Sequence, residues 1–220
     1  MSIFRRRPRD GAEPAPAQPT PDPDDGSAGK SPRANGPYDS TEVDVERARA
    51  DRIDLSALLV PRVEGMKLQL QVEEKSGRPA SVMAVLDDGA VQMIPVAAPR
   101  SSGLWDQTRL QIAADAQRRG GTVEEAAGPF GTEIRIVLPV TTPDGKKAVQ
   151  PSRSVGIDGP RWMLRATFLG AATTNPDVFG RLVQVVRDTV VVRGDNPMAP
   201  GDLIPLRPPQ QPDQQSVTEP

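Results

Sequence analysis

Six charged side chains stand where the chain turns or where a strand gives them apolar neighbours: Arg100, Asp158, Arg161, Arg165, Arg193 and Asp195. All but Arg165 lie close to glycine or proline turns, whereas Arg165 occupies the less apolar face of a strand rich in Trp, Met, Leu and Phe. An arginine set among apolar neighbours in a sheet either pairs with a carboxylate or opens on a pocket, because its planar fork of donors must be satisfied. The spacing therefore predicts one end of a sheet that binds an anionic ligand or the acidic segment of a partner. Ion pairs that merely hold turns are the competing reading, and they would contribute little to stability.

The remaining inventory argues against covalent chemistry. The chain contains no histidine and no cysteine. That removes imidazole bases, Ser-His-Asp triads, thiolate nucleophiles and cysteine-held metals, leaving carboxylates, lysine, tyrosine or a serine-lysine pair. Glu124 and Glu125 are adjacent in an extended segment and face opposite ways, which is poor geometry for an acid and base pair. Asp22, Asp24 and Asp25 lack the glycine and distant glutamate of a calcium loop, and the glycines at 120–121 and 128–131 lack the context of a phosphate loop. Arg193-Gly-Asp matches the tripeptide read by integrins, which in a cytoplasmic protein is coincidence. No enzyme, no cofactor and no metal is expected.

The elements that must position the six side chains follow from periodicity. The strand of Arg165 runs through residues 155–170 and alternates Trp162, Leu164, Ala166 and Phe168 against Met163, Arg165, Thr167 and Leu169. Apolar character on both sides marks it as the centre of a sheet covered by a layer on each face. Residues 67–72, 81–86 and 90–96 read as strands, the last two joined by an Asp-Gly hairpin turn, with Pro95 implying an edge or a bulge. Residues 122–127, 133–140 and 146–157 read as further strands, the last as a polar edge strand able to tolerate Pro151. One helix follows Ser101 or Ser102 as cap and carries Leu104, Trp105, Thr108, Ile112 and Ala116 as a stripe before Arg118 and Arg119 close it. A second begins at Asn175-Pro-Asp and repeats Phe179, Leu182, Val183, Val186 and Val190. Residues 52–61 read as an arm over the core's edge, 190–192 as a short extended piece, and Leu203, Ile204 and Leu206 as pins for the last segment. The order gives an α+β domain over 38–207, with about seven mainly antiparallel strands and two principal helices.

The ends differ from this body. Of the 25 prolines, fifteen lie before Tyr38 or from Pro197 onward. Residues 1–37 and 208–220 bury too little apolar surface to offset the entropy of ordering, so composition predicts disorder there. The net charge of −2 shows no basic excess for nucleic acid. No run reaches the roughly eighteen apolar residues of a membrane span. The N-terminus lacks an apolar signal core, so a cytoplasmic location is expected; Arg5, Arg6 and Arg7 are at most a weak contact with a membrane surface.

Several runs occur in order: Gly36-Pro-Tyr-Asp, Ala98-Pro-Arg-Ser-Ser-Gly-Leu-Trp-Asp, Gly128-Pro-Phe-Gly-Thr-Glu, Val155-Gly-Ile-Asp-Gly-Pro-Arg-Trp-Met-Leu-Arg and Val190-Val-Val-Arg-Gly-Asp-Asn-Pro-Met. On these the chain resembles an actinobacterial domain-of-unknown-function family, numbered 3710, across residues 36–208. The resemblance implies no activity and no functional residues. The element order also looks like the Mog1/PsbP-like α/β/α sandwich, whose members mostly act in binding or assembly. A non-catalytic domain that binds another protein is the resulting expectation. The alternative is a small-molecule (anionic ligand) binding protein or an atypical hydrolase with its site at one end of the sheet.

Overall fold

The structure, a computed structural model, describes residues 33–73, 77–100 and 103–209. Its elements are β1 (Tyr38–Asp39), α1 (Val45–Asp51), β2 (Arg52–Asp54), β3 (Leu58–Pro61), β4 (Lys67–Val72), β5 (Pro79–Leu86), β6 (Gly89–Ala97), α2 (Leu104–Arg118), β7 (Thr122–Gly128), β8 (Gly131–Thr141), β9 (Lys147–Gly159), β10 (Trp162–Gly170), α3 (Pro176–Asp188) and β11 (Val190–Val191). Seven of the strands form an antiparallel sheet in the order β4-β5-β6-β10-β9-β8-β7, with β10 in the middle as its two-sided apolar pattern requires. The fold is thus α+β, with helices on a mainly antiparallel sheet.

Alternation along β10 divides the interior in two. Trp162, Leu164, Ala166 and Phe168 join the larger core, together with Leu182, Val183 and Val186 of α3 and Leu58 and Val60 of β3. Met163, one residue out of phase, belongs to the opposite core with Trp105 and Ala116 of α2 and Ile134 and Ile136 of β8. On the α3 side the rings of Phe168 and Phe179 meet edge to face at 4.9 Å. On the α2 side Gly156 lies directly beneath Trp105: a Cβ built at Gly156 would come 2.5 Å from that ring, so only glycine admits the indole. Trp105 donates its indole N–H to the carbonyl of Thr132 at 2.7 Å, which gives the buried ring its polar partner.

A second sheet, ordered β1-β11-β3-β2, packs beside α3. Periodicity did not reveal it, because its strands are two to four residues long, below the length at which alternation can register. The apolar arm expected over 52–61 is two of these strands, and the extended piece at 190–192 supplies a third. The sheet is locked to the main one by the Nε1–H of Trp162, which donates to the buried carboxylate of Asp39 at 2.6 Å. Arg33 holds Glu42 through two bonds of 2.5 and 2.6 Å and stacks 5.5 Å from the Trp162 ring. Residues 33–37, which composition placed in the N-terminal segment, therefore pack on the domain.

Two further expectations change in detail. β9 is an edge only at its first half: residues 152–159 pair with β10, whereas 147–151 have β8 alone, and Pro151 sits in that one-sided part. Pro95 lies inside the sheet, buried, past the last β5–β6 pair at Val82 and Met93, where the final segment takes over the pairing: its carbonyl accepts from Ile204 N–H at 2.9 Å. Leu203 bridges Val96, and Ile204 and Leu206 are buried, as their apolar character predicted. Ser101 and Ser102, the expected caps of α2, and Arg5, Arg6 and Arg7 lie outside the described residues.

A candidate basic cleft and the residues around it

The six charged residues do not gather into one site. Arg100, Asp158 and Arg161 share a corner: Ala98 N–H donates to the Arg161 carbonyl at 2.9 Å, which brings the start of α2 beside the β9–β10 turn. Arg161 occupies the left-handed region at φ 61° and is exposed, as is Arg100. Asp158 works for the fold. Its Oδ2 accepts the N–H of Gly103, the left-handed residue at the head of α2, and so replaces a local side-chain cap with one from a distant strand. Its Oδ1 is buried without a partner among the described residues.

Arg165 stands further along the same face, between Ile94 on β6 and Gly156 on β9. It pairs with no carboxylate among the described residues, and its Nε is shielded from solvent without an acceptor. Burial pushes this guanidinium below its ordinary pKa. Beyond Thr167 the face turns polar and self-satisfied: Ser154 and Thr167 hydroxyls bond at 2.9 Å, and Gln92 donates to Gln71 at 2.5 Å.

Arg193 lies elsewhere, in a cleft of about 680 Å³ at the junction of the small sheet, the β4–β5 turn and the final segment. Its side chain is buried; one terminal nitrogen donates to the carbonyls of Gly194 and Asn196 at 3.3 and 3.0 Å, and Nε has no partner among the described residues. Arg49, Arg78 and Arg207 also line the cleft, against the carboxylates Glu73 and Asp202. Arg49, in α1, is engaged with Asp54 at the end of β2, and Asp202 accepts the N–H of Ala199 at 2.9 Å. Asp195 is exposed and does not line the cleft. Sequence reasoning named Arg193 but not Arg78 or Arg207, which lie more than a hundred residues apart and meet only through the tertiary closure at Leu206 N–H to Pro79 O.

A second charged cluster was not anticipated. Glu133 is 1% exposed and receives Arg153 through two bonds of 3.0 Å and Arg135 through one of 3.0 Å. The Arg153 guanidinium also lies 3.6 Å from the centroid of Phe179. The alternation was visible, since Glu133 and Arg135 are out of phase with Ile134 and Ile136, but the partner strand's register was not. With both carboxylate oxygens answered, this cluster clamps β8 and β9 to α3.

No group of three or more Asp or Glu side chains among the described residues is placed to hold a metal ion. No helix among the described residues is long and apolar enough to cross a membrane. No curated protein and no solved structure matches the chain. A family model does match, over residues 36–215, and most of the chain thereby falls within it. The chain belongs to the family described as Protein of unknown function (DUF3710).

Proposed function

We propose that this domain is a non-catalytic binding module that holds an acidic segment of a partner protein in the Arg193 cleft. The observation that carries the reading is the Arg193 Nε, buried without an acceptor among the described residues, in a cleft whose described lining includes four arginines and two carboxylates. A guanidinium stripped of water and left with an unused donor raises the free energy of the empty site, and an incoming carboxylate relieves it. The absence of histidine and cysteine and the division of the charged residues between separate places favour holding over transforming. The likeness of the layout to the Mog1/PsbP-like sandwich adds a weak prior in the same direction. A second reading, a small anionic ligand, is favoured by the volume of about 680 Å³, which falls among ligand pockets.

A photo-crosslinker at exposed Asn196, on the lip of the cleft, separates the two. The expected result is a partner crosslinked through an acidic stretch, with the yield cut about tenfold or more by Arg193→Gln combined with Arg207→Gln, the size expected from losing charge-assisted bonds. Arg193→Gln alone should lower stability by only about 1 kcal/mol, since only two carbonyl contacts are lost. Crosslinking that ignores the double variant rejects the cleft as the docking place. A small anion retained in native mass spectrometry of the wild type, and lost in the variant, replaces the first reading with the second.

A further inference from the structure

The main sheet ends in two edge strands of opposite character. β7, at one edge, carries Glu124 and Glu125 at its middle, so that two-fold pairing centred there would stack carboxylate on carboxylate; α2 also reaches it, where Arg109 pairs with Glu125. β4, at the other edge, reads Lys-Leu-Gln-Leu-Gln-Val and has one charge, at its start. Val72 at its end is 58% exposed, one of few large apolar side chains so placed among the described residues.

The direction of the β4 peptide groups follows from the pairing. Leu86 and Gly89 close the two-residue β5–β6 turn and face each other, so Leu86, Ala84 and Val82 turn their peptide groups toward β6. Val85, Met83 and Ser81 must then turn theirs toward β4, where they meet Lys67, Gln69 and Gln71. Glu73, next in that series, donates inward to the Arg78 carbonyl at 2.9 Å, in agreement. The peptide groups of Leu68, Leu70 and Val72 therefore point away from the sheet.

We propose that two copies of this chain pair antiparallel through β4, with Leu70 opposite Leu70 on the two-fold axis. In that register Leu68 faces Val72, Gln69 faces Gln71 and Lys67 faces Glu73 of the second copy, twice each. The outward peptide groups are those of the residues that must exchange hydrogen bonds in such a pair, so backbone and side-chain complementarity select the same register. Leu68, Leu70 and Val72 lie on the α3 side, where Leu68 and Leu70 already pack against the larger core. Pairing extends that apolar strip across the axis and covers Val72. Lys67 of the second copy meets Glu73, itself part of the cleft lining, but the inference stands apart from what the cleft binds.

Sedimentation velocity of the full chain over a hundredfold concentration range tests it. The expected result is a mass rising from 23.6 kDa to twice that value. Leu70→Pro removes an outward N–H and no β4–β5 bond, and raises the dissociation constant about tenfold or more. Lys67→Glu weakens the dimer about fivefold, and adding Glu73→Lys restores it, because the pair is re-formed with its signs exchanged. Circular dichroism checks folding; if Leu70→Pro unfolds the chain, the charge exchange alone decides. A single-chain mass at every concentration, or a dimer indifferent to the charge exchange, overturns the proposal.

Discussion

Glu133 and Arg165 are charged groups withdrawn from water on opposite faces of one sheet, and the fold treats them differently. Glu133 is surrounded: Arg153 grips it from both oxygens and Arg135 adds a third donor. Arg165 has apolar and small neighbours and an Nε that meets nothing among the described residues. The first arrangement is what a structural ion pair looks like, since desolvation is offset only when the lone pairs are answered. The second, like the Arg193 Nε in the cleft, is a cost that the fold itself does not recover. Satisfied buried charge therefore marks the scaffold, and unsatisfied buried charge marks the places where a ligand or partner could complete the set.

The contrast is broken most severely at Glu133. Glu133→Ala leaves the Arg153 guanidinium mostly buried without its carboxylate, and the expected loss is about 3 to 5 kcal/mol in urea denaturation. That corresponds to a fall in Tm on the order of 10 °C for a domain of this size. A loss under about 1 kcal/mol would show that the cluster is ornamental and that satisfaction does not separate scaffold from site. Arg165→Met should do the reverse. Replacing a guanidinium whose buried Nε lacks an acceptor among the described residues by an apolar chain of similar length is expected to leave stability unchanged or raise it by about 1 to 2 kcal/mol. A loss as large as that of Glu133→Ala would mean that Arg165 is held by contacts its geometry does not suggest.

Much of this frame was legible in the chain. Two-sided apolar alternation placed β10 at the centre, and the Asn175-Pro-Asp start placed α3, because both signals are local and strong: Asn175 Oδ1 accepts the N–H groups of Asp177 and Val178. The site was less legible. Asp158 looked like a ligand-binding acid and caps a helix 55 residues away, since nothing local shows which distant N–H a carboxylate will meet. The small sheet escaped because two-residue strands have no period, although a buried Trp162 had to find an acceptor for its N–H and finds it in Asp39 of β1. Arg78 and Arg207 escaped for the same reason as the Glu133 cluster: register and chain closure, not composition, bring them together.

The smallest expected effect lies where satisfaction and exposure coincide. Arg33, bonded at 2.5 and 2.6 Å, holds the Glu42 carboxyl below its ordinary value, helped by the N–H of Asp39 and opposed by partial burial. A carboxyl whose folded pKa is depressed contributes stability that is present above its unfolded pKa and lost as the pH falls through the folded one. Glu42→Gln should therefore narrow the gap to wild type on the acid side, below the ordinary glutamate range, and keep it constant toward neutrality. Because the Glu42 side chain is 38% exposed, salt screens the interaction, and added sodium chloride should shrink the gap at neutral pH. The readout can be local, since Arg33 also stacks on Trp162: the acid transition should move the fluorescence of that indole before the sheet unfolds. If wild type and Glu42→Gln titrate in parallel, even a well-made pair at the surface adds nothing, and only burial gives satisfaction its weight.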